Sequence, residues 1–227
     1  RAISYKATLT KHMSLRRDKL SDDGTQVVKL PPHKKMGLGG TLKTLVLNPR
    51  VGTNAAILAQ IRQRGHEVGL HGGRNHGSWQ QNAAHWTKSK LIQEIKWGEQ
   101  SLKKRGIRDV QSFSSPGWNA PDKLNPVIKE LGYALVADHH DPEQEAVPQP
   151  MDSGSPIEIN TNLLGEPGGV GYLESCAARE RSRSQVFDEL ETAVNRFSTL
   201  VIYDHPVYAG RAGIQTLEFV IQTLKSF

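Results

Sequence analysis

At 227 residues the chain can bury one substantial core, and α/β barrels of this size form single domains. No apolar run approaches the roughly 20 residues that span a bilayer, and a single cysteine, Cys176, excludes a disulfide framework or a cysteine-ligated zinc. The net charge of +6 is uneven, with eleven Lys or Arg against three Asp in residues 1–50.

In chain order, residues 3–10 suit a strand. The stretch 26–36, where a first helix would fall, contains Pro31 and Pro32, which should break it. Residues 1–40 are therefore poorly specified. Leu45, Val46 and Leu47 read as a strand. Thr53 or Asn54 caps a helix through Ala55, Ile57, Leu58 and Ile61 that stops at Gly65. Residues 66–70 form the next strand. Thr87 then caps a helix with Leu91, Ile95 and Leu102 on one face and Gly106 after its end. Residues 109–113 are strand-like, 122–131 a helix closed by Gly132, and 133–137 a strand. The Pro- and Gly-rich stretch 148–171 is irregular, with one strand at residues 157–159. A helix over 184–197, a strand over 200–203 and a closing helix over 214–224 follow. The last should turn Leu217, Val220, Ile221 and Leu224 inward.

This alternation favours a parallel sheet, doubly wound or closed as a barrel. Reactive groups in a barrel sit at the C-terminal ends of strands. His71, residues 113–118, residues 138–141 and His205 all follow expected strands, which points to one shared site. No repeat or linker interrupts the chain, so residues 1–227 are expected to form a single domain.

Imidazoles at strand ends can converge on a metal ion, and His71 and His76 are the leading pair. Other readings are blander. Asp23-Gly24 alone is a turn signature, His66 starts its strand, and His12 and His33 suit the surface. His139 and His140, between Asp138 and Asp141, make a second plausible cluster. Trp79, Trp86 and Trp97 are expected to pack around the helix after His76, and Cys176 to be a packing residue.

Five ordered pieces resemble the polysaccharide deacetylases (the NodB-homology, or carbohydrate esterase family 4, proteins) from about residue 21 to the C-terminus. They are Ser21-Asp22-Asp23-Gly24-Thr25; Gly65 to His71 with His76; Ser112 to Trp118; Glu130 to Tyr133; and Leu200 to His205. The run 66–71, the Gly117-Trp118 pair and Tyr203 to His205 are also similar to a subgroup that deformylates 4-deoxy-4-formamido-arabinose carried on undecaprenyl phosphate. The resemblance implies a distorted (β/α)7 barrel and a metal-dependent hydrolase of linear amide C–N bonds. It would remove an acetyl or formyl group from an N-acylated amino sugar or a lipid-linked sugar.

The roles implied are metal ligation by Asp23, His71 and His76, base action by Asp22 and acid action by His205. The last suits an imidazole titrating near neutrality. Pro116, Gly117 and Trp118 would wall the substrate pocket, and Asp138 would orient a catalytic group. Backbone N–H groups after Pro116 could serve an oxyanion hole. The cofactor implied is a divalent cation, zinc foremost, with cobalt or another divalent ion allowed.

Three alternatives stay open. The family's two histidines usually stand four residues apart, which falls on Asn75 rather than His76. Asp18 rivals one member of the aspartate pair, and Ser114 and Ser115 stand where the family carries an arginine. The rival function is a non-catalytic deacetylase-like domain that binds glycan or an anionic lipid-linked sugar. A two-histidine, one-carboxylate iron oxygenase ranks far behind, because such sites sit on all-β folds. A serine hydrolase is disfavoured by the lack of a Gly-x-Ser-x-Gly elbow. The basic N-terminal stretch suits a phosphate-bearing or lipid-linked substrate and peripheral membrane contact. Tyr5 is the only aromatic residue among those charges, so nucleic acid is not an expected partner. The chain opens on Arg1 and localisation stays open, with a soluble bacterial protein, cytoplasmic or peripheral to the envelope, expected. The oligomeric state is likewise open.

Overall fold

The computed structural model describes residues 3–4, 29–47, 50–51, 54–151, 156–166 and 170–227. Its elements begin with β1 (Ile3–Ser4), α1 (Pro32–Leu47), β2 (Arg50–Val51), α2 (Ala55–Gln63), β3 (Leu70–His71) and α3 (His76–Asn82). Then come α4 (Lys88–Lys103), β4 (Ser112–Ser114), α5 (Leu124–Glu130), β5 (Leu135–Val136), β6 (Gln149–Pro150) and β7 (Ile157–Glu158). The chain closes on α6 (Tyr172–Ala178), α7 (Arg183–Arg196), α8 (Pro206–Ala209) and α9 (Ile214–Leu224). They fall into two compact units, one within residues 1–8, 48–139 and 148–159, the other within 9–47, 140–147 and 160–227.

The first unit holds a five-stranded sheet in the order β3-β4-β5-β7-β6, parallel except for β6 at the edge. Register aligns Leu70 with Phe113 and Phe113 with Val136, and all three are buried in one core. Because side chains alternate along a strand, the partners His71 and Ser114 occupy the opposite face. The α/β class holds, while among the described residues the sheet stays open and closes no barrel.

Helix α4 follows its spacing. Thr87 Oγ1 accepts the Lys90 N–H at 3.2 Å, and Leu91, Ile95 and Leu102 are buried. Gly98 allows a close approach to β3, since a Cβ there would lie 2.5 Å from Leu70 Cδ1. Asn54 is the cap of α2, its Oδ1 accepting the Ala56 and Ile57 N–H groups at 3.0 and 3.2 Å. Trp79 is fully buried, in contact with Trp86 and Phe113. Leu91→Ala should lower stability by about 2–5 kcal/mol through the cavity left in this core. Denaturant titration checks this, and a midpoint unchanged from the parent would contradict the packing described.

Strands are shorter than the sequence suggests. Of residues 66–70 only Leu70 joins a ladder, together with His71. The edge strand β6 was not foreseen, and its Pro150 suits an edge, where a missing N–H costs little.

In the second unit the expected strand at 45–47 is instead the end of α1. A run of three apolar residues is too short to set a period, and the preceding turns carry it into the helix. Pro31 and Pro32 do not break a helix but begin one, since Pro at the first helical position loses no hydrogen bond. A kink at Gly37 frees the Met36 carbonyl, which accepts from Arg211 Nη1 at 2.6 Å. Helix α7 starts one residue before the expected bound, on a capping box between Ser182 and Gln185. Leu163, Tyr172, Leu173, Cys176, Val186, Leu190, Tyr208 and Val220 form the core.

Burial pushes the Cys176 thiol up to about 11, as befits a packing residue. The expected strand at 200–203 reduces to one parallel bridge between Leu163 and Ile202. On α9, Val220 and Thr223 are buried and Ile221 is 44% exposed, so Ile221 is not an inward residue. It lies about 100° round the helix from Val220, at the margin of the buried stripe. No helix among the described residues is long and apolar enough to cross a membrane.

Candidate functional site

Within the first unit, β3 delivers His71 to its C-terminal end beside β4. His71 Nδ1 lies 3.0 Å from the Ser114 carbonyl oxygen and 2.7 Å from Ser114 Oγ. A carbonyl can only accept, so Nδ1 carries the proton and the ring's lone pair sits on Nε2. Metal-ligating histidines are oriented by this kind of bond from their second nitrogen.

Asn75 Oδ1 accepts the Ser78 N–H at 3.0 Å and caps α3. Its oxygen is thus used locally, and His76, the first residue of α3, is the side chain that approaches His71. The two ring centroids are 5.3 Å apart at an interplanar angle of 52°. Imidazoles bound to one zinc at about 2.0–2.1 Å have centroids roughly 5 Å apart. The separation of the His71 and His76 rings is of that size. No group of three or more His, Cys, Asp or Glu able to hold a metal occurs among the described residues. Asp23, the carboxylate expected to complete the set, lies outside the described residues, as do the expected base Asp22, Asp18, His12 and the whole stretch 21–25.

After β4 the chain turns sharply at Pro116–Trp118. Gly117 and Trp118 both take left-handed backbone, at φ 64° and 53°. For Trp118 that conformation costs on the order of 1–2 kcal/mol. Strain of this kind clusters at functional sites. A Cβ at Gly117 would lie 2.3 Å from Gln80 Nε2 and 2.7 Å from Gln80 Cγ, so Gln80 would have to shift to admit one. The Trp118 and Asn119 N–H groups bond back to Ser115 and Pro116 carbonyls at 3.2 and 3.4 Å. Both donors are committed to the turn rather than to an oxyanion hole. Trp79 Nε1 donates to the Asn119 carbonyl at 3.1 Å, and Asn119 Nδ2 donates to the Gln80 carbonyl at 3.0 Å. These bonds tie the turn to the helix that carries His76.

Asp138 follows β5. Its carboxylate accepts the Ser115 N–H, and Ser115 Oγ donates to it at 2.9 Å. Burial pushes its carboxyl up to about 6, against the pull of the Ser115 bonds and with a small push from Glu158. Between the ordinary carboxylate range and pH 6 the folded chain thus binds more protons than the unfolded one. Stability falls as pH rises through that window. Asp138→Asn should flatten the fall, measured as denaturant midpoints from pH 4 to 7, and an unchanged slope would contradict it. A cavity of about 310 Å³ borders this region, with His71, Ser114, Ala137 and Ile159 in its wall. His139 is exposed, and His140 belongs to the second unit.

His205 also lies in the second unit. Its Nε2 is 2.9 Å from the Tyr203 hydroxyl, and its N–H donates to Asp204 Oδ1 at 2.6 Å. Asp204 Oδ2 accepts the Leu173 N–H at 2.6 Å. Burial raises the Asp204 carboxyl above the ordinary range. The structure thus joins His71 to His76 and Ser114, and Asp138 to Ser115. In sequence, Ser114 and Ser115 stand out only as residues in the place of an arginine. Their anchoring of His71 and Asp138 leaves no mark in sequence beyond two hydroxyls at a strand end.

Residues 41–136 match the model of the polysaccharide deacetylase family. A probable polysaccharide deacetylase from Pseudomonas aeruginosa PAO1 superposes with a TM-score of 0.55 at 16% identity over 77% of this chain. PuuE allantoinase superposes at 0.53, with 15% identity over 77% of this chain. This chain spans 58% of the length of each of those structures. The similarity establishes a shared fold, and a fold alone does not select the bond that is cleaved.

Proposed function

We propose, for a chain that carries a polysaccharide deacetylase domain match over residues 41–136, that it hydrolyses the N-acyl amide of an amino sugar. The observation that supports this most is the His71–His76 pair, with ring centroids 5.3 Å apart and Nδ1 of His71 held by Ser114. His71 and His76 would hold a divalent cation, zinc foremost, with Asp23 as the carboxylate ligand. When bound, such a cation supplies Lewis acidity to the acyl carbonyl and lowers the pKa of water.

The chain's own groups account for the proton traffic. Asp22 takes a proton from the attacking water. The C–N bond breaks as His205 gives a proton to the departing amine, leaving a free carboxylic acid and an amino sugar. Trp118, held in a strained turn by Gly117 and Pro116, offers an apolar face against the sugar ring. Asp138, fixed through Ser115, orients the loop that carries that turn. Acetyl and formyl are both allowed as the acyl group. The basic stretch within residues 1–50 suits a phosphate-bearing or lipid-linked substrate and peripheral contact with an anionic membrane.

The test is release of acetate or formate from N-acetyl and N-formyl amino sugars, with and without a chelator. Release that chelation stops and zinc restores supports the proposal. Glycan binding with no release, chelated or zinc-loaded, would favour the non-catalytic reading.

A further inference from the structure

The segment between His71 and His76 is pinned from two sides. From the sheet, the Gly72 N–H donates to the Ser114 carbonyl at 3.1 Å. From α4, the Arg74 N–H donates to Glu94 Oε2 at 2.9 Å. Glu94 is 5% exposed, and its other oxygen accepts from Lys90 Nζ at 2.7 Å. A buried carboxylate is costly unless both oxygens are engaged, and here one of them serves the backbone of the histidine segment. Gly73 adds an independent sign of the same contact. A Cβ at that position would lie 2.6 Å from Glu94 Cβ and 3.0 Å from the Glu94 carbonyl oxygen. The segment lies so close against α4 that only glycine fits.

We infer that Glu94 is a positioning residue that sets the spacing of the His71 and His76 rings by clamping Arg74 to α4. This rests on the metal-site reading above. The clamp is the bond from the Arg74 N–H to Glu94 Oε2, which fixes the segment midway between the two rings. Without it, residues 72–75 gain backbone freedom, and the two rings must be brought together again each time a cation binds. The role depends on the reach of the side chain, not on its charge near the cation.

Three variants of the full chain separate these possibilities, with zinc affinity measured by chelator competition and thermal stability of the metal-free protein measured alongside. Glu94→Asp retracts the carboxylate by one methylene and should weaken zinc binding about 10–100-fold, the range for an outer-shell partner. Glu94→Gln keeps both the reach and an acceptor oxygen and should stay within about threefold of the parent, well below that range. Gly73→Ala pushes the segment off α4 and should weaken zinc as Glu94→Asp does. A purely structural Glu94 would lower metal-free stability and leave zinc affinity in place.

Parent-like affinity in Glu94→Asp overturns the inference, as does a loss in Glu94→Gln equal to that in Glu94→Asp. His71→Ala separates the two levels of the argument. Zinc retained there sinks the metal site itself, while zinc lost there but kept in Glu94→Asp sinks only the clamp. Should Glu94→Asp fail to fold, Gly73→Ala and hydrogen exchange decide. The Arg74 amide should be protected in the metal-free parent, and exchange at the rate of an open amide contradicts the clamp.

Discussion

His71→Ala should lose zinc by more than the roughly 10–100-fold that removal of an outer-shell partner costs. Turnover should fall with it, to the level of the chelated parent. The side chain supplies one of two imidazoles that approach each other, and its Nδ1 proton is already committed to Ser114. Among the described residues Asn75 does not replace it, because its oxygen is spent on the cap of α3. Loss of the Ser114 bonds should cost only about 1 kcal/mol of folding stability, so the variant should remain folded. Isothermal titration with zinc, paired with a denaturant curve, reads both quantities. A folded His71→Ala protein that binds zinc as tightly as the parent would contradict the assignment.

His205→Ala should behave in the opposite way, keeping zinc affinity and losing kcat by about 10²–10⁴-fold, the range for general acid catalysis. The proposed acid is steadied by the Tyr203 hydroxyl at Nε2 and by Asp204, which holds its backbone N–H. Pro206 then opens α8 directly after it. Removing the imidazole should also remove a limb from the pH–rate profile. Single-turnover kinetics on zinc-loaded protein would read the effect. Full turnover in this variant would show that the leaving amine takes its proton from another group.

Helix α4 was legible because cap and stripe agree, Thr87 with Leu91, Ile95 and Leu102, while Gly132 marked the end of α5. Short runs misled: Leu45, Val46 and Leu47 gave no period and belong to α1. Helix α6 escaped notice because no side chain caps it and its buried face includes Glu174, which pairs with Lys35 at 2.6 Å. A charged residue at a core position hides an amphipathic stripe.

The site divides in the same way. His71 and His76 are singled out in the sequence by their strand-end position, and Trp118 and Asp138 by the ordered motifs. Partners such as Ser114, Ser115 and Glu94 act through tertiary contacts between residues 20 to 43 positions apart. No local pattern encodes such pairs. The capping role of Asn75 likewise needed the backbone, since capping preference and ligand spacing pull Asn75 and His76 in different directions.

X-ray absorption at the zinc edge of the reconstituted full chain tests the account most directly. Two imidazole nitrogens near 2.0–2.1 Å with oxygen ligands completing the shell is the expected result, falling to one imidazole in His76→Ala. A bound zinc with no imidazole in its shell, or a shell unchanged by His76→Ala, would contradict it.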